Sequence, residues 1–263
     1  MPALPLQGRL IVVTRPLAQA GALAAGIRAQ GGAACLFPLL EISPWPDDAL
    51  LRVSAARLAD YRFAVFVSPN AVRYALPLLL SAGAWPPATR AVAVGERTAQ
   101  DLRAAGVRDC LYPHPQTDSE ALLALPEFSE SAVRGKKAVI FRGGGGRELL
   151  AQTLTARGAQ VDFVPVYQRS GPDTASATWT EFCARLAAGD FAALTLSSSE
   201  ALRYLVERCP PAQTTMLRQT PLFASHARIV AAARAAGFLR VIETETGDAG
   251  LLAGLNAYNW RQS

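Results

Sequence analysis

What this chain lacks narrows its chemistry before any motif is considered. Its 263 residues include only two histidines, His114 and His226, a poor basis for a Ser-His-Asp triad or a histidine metal site. Its four cysteines, Cys35, Cys110, Cys183 and Cys209, stand far apart with no C-x-x-C pair, which favours buried reduced thiols over disulfides or zinc. No apolar run reaches the roughly eighteen uninterrupted residues of a membrane span. The opening "MPALPLQGRLIVVTRP" has no charged segment before its short apolar run, so it does not resemble a signal peptide. A cytoplasmic location without a membrane partner is expected.

Nucleotide chemistry is missing as well. No G-x-x-x-x-G-K-[ST] occurs, and "RGGGGRE" at 142–148 lacks the lysine and hydroxyl of a phosphate loop. The first strand candidate is followed by "TRPLAQAGAL" where a dinucleotide fold would have G-x-G-x-x-G. There is no G-x-S-x-G elbow. The formal net charge of +5 favours an anionic partner in a general way. However, the basic residues, almost all arginine, are dispersed and form no run interleaved with aromatics, so nucleic acid is not expected. No metal and no cofactor are expected, and any chemistry must rest on shape, backbone donors, hydroxyls and a phenol.

What is present is an α/β pattern. Apolar content is 51%, and short β-branched runs such as "RLIVVT", "FAVFVS", "KAVIF" and "FAALTL" alternate with Ala/Leu/Arg-rich stretches of helical period. That alternation predicts parallel strands buried on both faces beneath helices.

The pattern also repeats. "GRLIVVTR" lies on "GKKAVIFR", Gly8 on Gly135, at an offset of 127 residues, which also carries Gly31 onto Gly158 and Pro38 onto Pro165. "AVFVSPNAVRYAL" lies on "LTLSSSEALRYLV" with Ser68 on Ser198, Arg73 on Arg203 and Tyr74 on Tyr204; "AVGERTAQDLRAAGV" lies on "ASHARIVAAARAAGF", and "TDSEALLA" on "TGDAGLLA". Four matches in one order argue for a duplicated unit. Two similar small domains are expected, each a five-stranded parallel sheet flanked by helices, joined by a two-stranded linker with a cleft between. The Pro-rich stretches "FPLLEISPWP" and "FVPVYQRSGP" suit connectors. They place a terminal domain at 1–37 plus 172–263, a middle domain at 44–163, and linkers at 38–43 and 164–171. Such connectors would form a hinge.

Parallel sheets bind ligands at the carboxyl ends of their strands. The loops there are "VTRP", "VSPNAV", "VGERTA", "QTDSEALL", "SSSEAL" and "SHARIV", each leading into a helix start. Together they offer free N–H groups, small hydroxyls and positive helix ends, a site for carboxylates or phosphates. The alternative for Ser68, Thr98, Thr117 and Ser198 is that each only caps its own helix.

These loops, with "FRGGGGRELLAQTLTARGAQVDFVPVYQR" at 141–169, in this order and over nearly the whole chain, resemble bacterial uroporphyrinogen-III synthases. The resemblance implies two α/β domains, one built from both termini. It further implies cofactor-free cyclisation of hydroxymethylbilane, a linear tetrapyrrole polycarboxylate, with loss of water and inversion of ring D through a spiro intermediate, in heme and siroheme formation. A monomer is implied, with a transient contact to the preceding pathway enzyme.

Carried over by motif, Tyr167 in "PVYQR" is the catalytic candidate, a phenol that protonates the departing hydroxyl; packing at an interdomain seam is its alternative role. Ser68, Pro69, Asn70, Gly95 and Thr98 match substrate contacts of the middle domain, and Ser198 and Ser199 match those of the terminal domain. Arg15, Arg142 and Gly143 join them, with Gly143 to Gly146 read as a flexible strand-to-helix turn. Where the family often has a Gly-Pro-Thr-Thr type loop, this chain has "SHARI", so a hydroxyl is replaced by Ile229, with His226 or Arg228 as substitutes. Two rival readings stand: a non-enzymatic two-lobed small-anion binder, and a regulatory domain derived from the synthase.

Overall fold

A computed structural model describes residues 4–81, 83–145 and 148–260. The chain forms two compact units, one running up to Glu41 and resuming at Ser170, the other Ile42–Arg169. In chain order the first unit begins with β1 (Leu10–Val13), α1 (Leu17–Ala29) and β2 (Ala33–Leu36). Next come β3 (Glu41–Pro44), α2 (Ala49–Ala56), β4 (Phe63–Phe66), α3 (Pro69–Leu79), β5 (Arg90–Ala93), α4 (Glu96–Ala104) and β6 (Cys110–Leu111). They are followed by α5 (Ser119–Leu123), α6 (Glu130–Val133), β7 (Lys137–Gly143), α7 (Leu149–Ala156) and β8 (Gln160–Ser170). The first unit is completed by α8 (Ala177–Ala187), β9 (Ala193–Leu196), α9 (Ser199–Arg208), α10 (Thr214–Gln219), β10 (Leu222–Ala224), α11 (Ala227–Ala235), β11 (Val241–Glu243) and α12 (Gly247–Ala257).

The sheet of the first unit has five strands in the order β11-β10-β9-β1-β2, all paired in parallel. That of the second has six, in the order β3-β8-β7-β4-β5-β6, with the pairs from β8 to β6 parallel. Matching β7 to β1, β8 to β2, β4 to β9, β5 to β10 and β6 to β11 superposes the two orders, the correspondence that the internal repeat indicates. The β1–α1–β2 piece comes first in one unit and its counterpart comes last in the other. The two units are circular permutations of one fold. Gly31 and Gly158, equivalent in the repeat, both end a helix with positive φ, 83° and 85°, a backbone state that a side chain disfavours.

The expectation of five strands per domain needs one correction. The second sheet gains β3, and β8 runs for 11 residues, so residues 164–169 of the expected two-stranded linker are strand, beside β3 in the sheet order. Pro165 has no N–H to give, and the β7–β8 register slips beside it, from Arg142 opposite Pro165 to Gly143 opposite Tyr167. Proline thus marks a bulge here, not the end of the strand.

The inner strands of each sheet are buried on both faces, which is why they are nearly continuously apolar. In the second unit Phe66, Ala93, Val139 and Phe141 face one helix layer, while Phe63, Val65, Val92 and Ile140 face the other. In the first unit Val12, Leu194, Leu196 and Leu222 point to one side and Ile11, Val13, Ala193 and Phe223 to the other. Among the described residues no helix is long and apolar enough to cross a membrane.

Candidate functional site

The carboxyl edge of the second sheet is built where β4, β5 and β7 pass into loops. After β4, Ser68 takes extended backbone and its Oγ accepts the Ala71 N–H at 3.2 Å. Pro69 follows at the first helical position, where a missing N–H is harmless. Asn70 stands partly exposed in the same turn. After β5, Gly95 caps α4 and approaches Thr117, whose Cβ would lie 3.8 Å from a Cβ placed on Gly95. Thr98 is 3% exposed, so its side chain packs into the first turn of α4 and presents little surface to a ligand.

Tyr167 meets this edge from β8. It is 3% exposed, part of the core of its own unit, and its phenol lies 3.1 Å from Ser68 Oγ. Tyr74 stacks beside it at 6.3 Å between ring centroids and is itself held by a 2.9 Å hydrogen bond from its hydroxyl to the Ile42 carbonyl. Gly143 is the reason the ring fits, since a Cβ there would fall 2.7 Å from Tyr167 Cε2. Gly144 donates its N–H to the Tyr167 carbonyl at 2.9 Å, and a Cβ on it would collide with the Trp45 indole. These two glycines are therefore packing positions around a buried phenol. Gly145 takes φ +84°; Gly146 lies outside the described residues. Arg142 does not reach this group, because its Nε bonds the Gly143 carbonyl at 3.2 Å and its guanidinium lies over Phe163.

In the first unit the equivalent edge is more strongly self-paired. Ser198 Oγ accepts the Ala201 N–H at 3.3 Å as the cap of α9. Ser199 Oγ is buried without a hydrogen-bond partner. Arg15 forms an ion pair with Asp248, in the first turn of α12, and donates its Nε to Ser197 Oγ at 3.2 Å. An incoming carboxylate has to displace Asp248 to reach it. The start of α11 exposes its cap residue His226 and Arg228 and buries Ile229 at 2%. A cavity of about 650 Å³ opens beside it, lined by Ser225, His226, Glu243, Glu245 and Thr246. Two glutamates make this wall unsuited to carboxylates and better matched to N–H or O–H donors.

The structure thus brings Ser68, Gly143 and Tyr167 together, and separately Arg15 with Ser197 and Asp248. Asp248, Trp45 and Tyr74 were missed from sequence. For Asp248 the signal was an acidic residue in the first turn of a helix that the repeat places on the edge carrying Arg15. For Trp45 and Tyr74 there was none, since their contacts depend on the path of β3 and β8.

A duplicated parallel-sheet α/β protein is defined by these features, one whose ligand edges are made of serine-capped helix starts and a buried phenol where other such folds carry a nucleotide loop. Comparison narrows the class. A family model described as "Uroporphyrinogen-III synthase HemD" matches residues 21–253, and the chain belongs to the uroporphyrinogen-III synthase family. It is 42% identical over 160 residues to the uroporphyrinogen-III synthase of Salmonella typhimurium strain LT2 and 40% identical over 160 residues to that of Escherichia coli K12. Each alignment covers 60% of this chain and spans 64% of the relative's length. The fold is shared with a mutant uroporphyrinogen III synthase from the extremely thermophilic bacterium Thermus thermophilus, at TM-score 0.61 and 19% identity over 94% of this chain and 96% of that one. It is also shared with uroporphyrinogen-III synthetase from Helicobacter pylori 26695, at TM-score 0.53 and 13% identity over 93% and 97% of the two chains.

Proposed function

We propose that this chain is itself a uroporphyrinogen-III synthase, closing hydroxymethylbilane to uroporphyrinogen III with loss of water and inversion of ring D. The observation that carries the chemistry is the Tyr167–Ser68 pair at the carboxyl edge of the second sheet. Ser68 Oγ accepts the Ala71 N–H at the positive start of α3 and is left with its own proton to give. The phenol and that hydroxyl form a two-link path for a proton. Tyr167 is almost fully buried while Ser68 is partly exposed. The proton therefore passes outward through Ser68, whose O–H bond breaks toward the departing hydroxyl as the phenolic proton replaces it. Water leaves with the C–O electron pair, and the pyrrole nitrogen supplies electrons to form the azafulvene.

The remaining task is to hold a flexible polycarboxylate in one geometry and exclude closure without inversion. The partly exposed starts of α3 and α4 supply N–H groups for carboxylates. No cofactor enters this reading. A monomer acting in the cytoplasm completes the proposal, with sedimentation as its check; a transient contact with the enzyme that makes the unstable bilane would shorten its exposure to water. Nothing observed favours a non-enzymatic anion binder or a regulatory domain.

The test is conversion of freshly generated hydroxymethylbilane, with isomers resolved by chromatography. Type III product is expected, and only type I product would overturn the assignment. Tyr167→Phe is expected to lower turnover about 100-fold, the lower end of what a positioned proton donor contributes, with product affinity nearly unchanged. Unaltered turnover would reduce Tyr167 to a packing residue.

A further inference from the structure

At the opposite, amino edge of the first sheet, residues that precede parallel strands converge on a cavity of about 280 Å³. Arg9 precedes β1, Ala192 precedes β9, Pro221 precedes β10 and Arg240 precedes β11. Gln219 and Trp260 complete the principal walls, and among the described residues no lining residue is acidic. We propose that this cavity is an accessory site for a small, multiply charged oxyanion of the phosphate class, separate from the carboxyl edge where the tetrapyrrole is read.

Three features support it. Parallel strands begin here, so the two arginines are brought together by register and not by sequence proximity. Several arginines elsewhere have a carboxylate partner: Arg15 with Asp248, Arg185 with Asp190, Arg203 with Glu207. Among the described residues no carboxylate lines the cavity that holds these two positive charges. The Arg9 guanidinium lies over the Trp260 ring at 4.5 Å, and its Nε is buried without an acceptor, a costly state for a charged donor. Arg240 is fixed by two hydrogen bonds, from Nε at 3.2 Å and Nη2 at 2.6 Å, to the Gln219 carbonyl. A guanidinium pre-set in this way pays little ordering cost when it meets an oxyanion. The volume lies just below the range of about 300–1,000 Å³ that holds drug-sized ligands, which points to a compact anion and away from a nucleotide.

The test is titration of the full chain with inorganic phosphate at constant ionic strength, followed by the NMR shift of the Trp260 indole N–H. That group donates to the Leu255 carbonyl at 3.2 Å and sits against the site. A saturable shift is expected, weakened at least ~10-fold in Arg240→Gln, the loss anticipated for one charged donor. Arg9→Gln should behave alike; if it unfolds the unit, Arg240→Gln decides, because its side chain is partly exposed. No saturable shift in the parent chain, or equal affinity in Arg240→Gln, would overturn the proposal. A matching shift with succinate would overturn the phosphate class.

Discussion

The two units share one strand order yet fill and arm it differently. In the second, Phe66 and Phe141 meet across β4 and β7 at 5.0 Å; in the first, the position equivalent to Phe141 is Thr14, whose hydroxyl donates to the Thr195 carbonyl at 2.6 Å while Thr195 returns a bond to Val12. At this position one sheet carries aromatic volume and the other buried hydroxyls that satisfy sheet carbonyls. The same divergence reaches the ligand edge. Tyr74 stacks on a phenol, but its counterpart Tyr204 lies between Arg203 and Arg208. Arg15 is tied to Asp248, whereas its counterpart Arg142 folds over Phe163. Duplication preserved topology, while the polar groups along the carboxyl edges diverged.

That contrast can be broken by substitution, and the largest effect belongs to the Phe66–Phe141 pair. Phe141→Ala is expected to cost 3–5 kcal/mol, about the range for buried Phe to Ala, and Thr14→Val only about 1 kcal/mol, the net worth of a hydrogen bond. Urea denaturation compares them, and equal losses would mean that the two cores are not packed differently. Next is Gly143→Ala, expected to cost about 1–3 kcal/mol by overpacking against Tyr167. Its equivalent, Pro16→Ala, should stay within about 0.5 kcal/mol.

Smaller still is the pair of caps. Ser198→Ala should cost about 1 kcal/mol. Ser68→Ala should cost more, by about 1 kcal/mol, because it also strands the Tyr167 hydroxyl. Similar losses for the two would argue against a working Ser68–Tyr167 bond. The mildest distinction is in thiol reactivity. Burial pushes Cys110 of the second unit up to about 11, and burial also raises Cys35, Cys183 and Cys209 of the first. Cys110 should be the last thiol to react with a disulfide reagent at mildly alkaline pH, read by mass spectrometry. Since its folded value is raised, its contribution to stability is intact below its ordinary value of 9.0 and is lost as pH rises through about 11.

Much of this was legible in the residues. Continuous apolar strands, helix-ending glycines and Pro-led helix starts are local, and they were enough for the α/β class, the duplication and the serine caps. The glycine-rich turn was placed correctly as a strand end, although its purpose was not evident. Gly143 is glycine because of a ring 24 positions later in the chain, and no local rule carries that information. Likewise the proline at 165 reads locally only as a residue that disfavours helix, and the bulge it occupies beside the aligned Gly143 and Tyr167 is visible only in the sheet.

What the sequence alone determined is therefore the set of repeating local elements, because backbone preference and hydrophobic period act over a few residues. Tertiary structure decided which side chains meet. Tyr167 finds Ser68 across 99 positions, Arg15 finds Asp248 across 233, and Arg9 shares a cavity with Arg240. Each encounter is fixed by strand order and register, which position groups in space without regard to their distance along the chain.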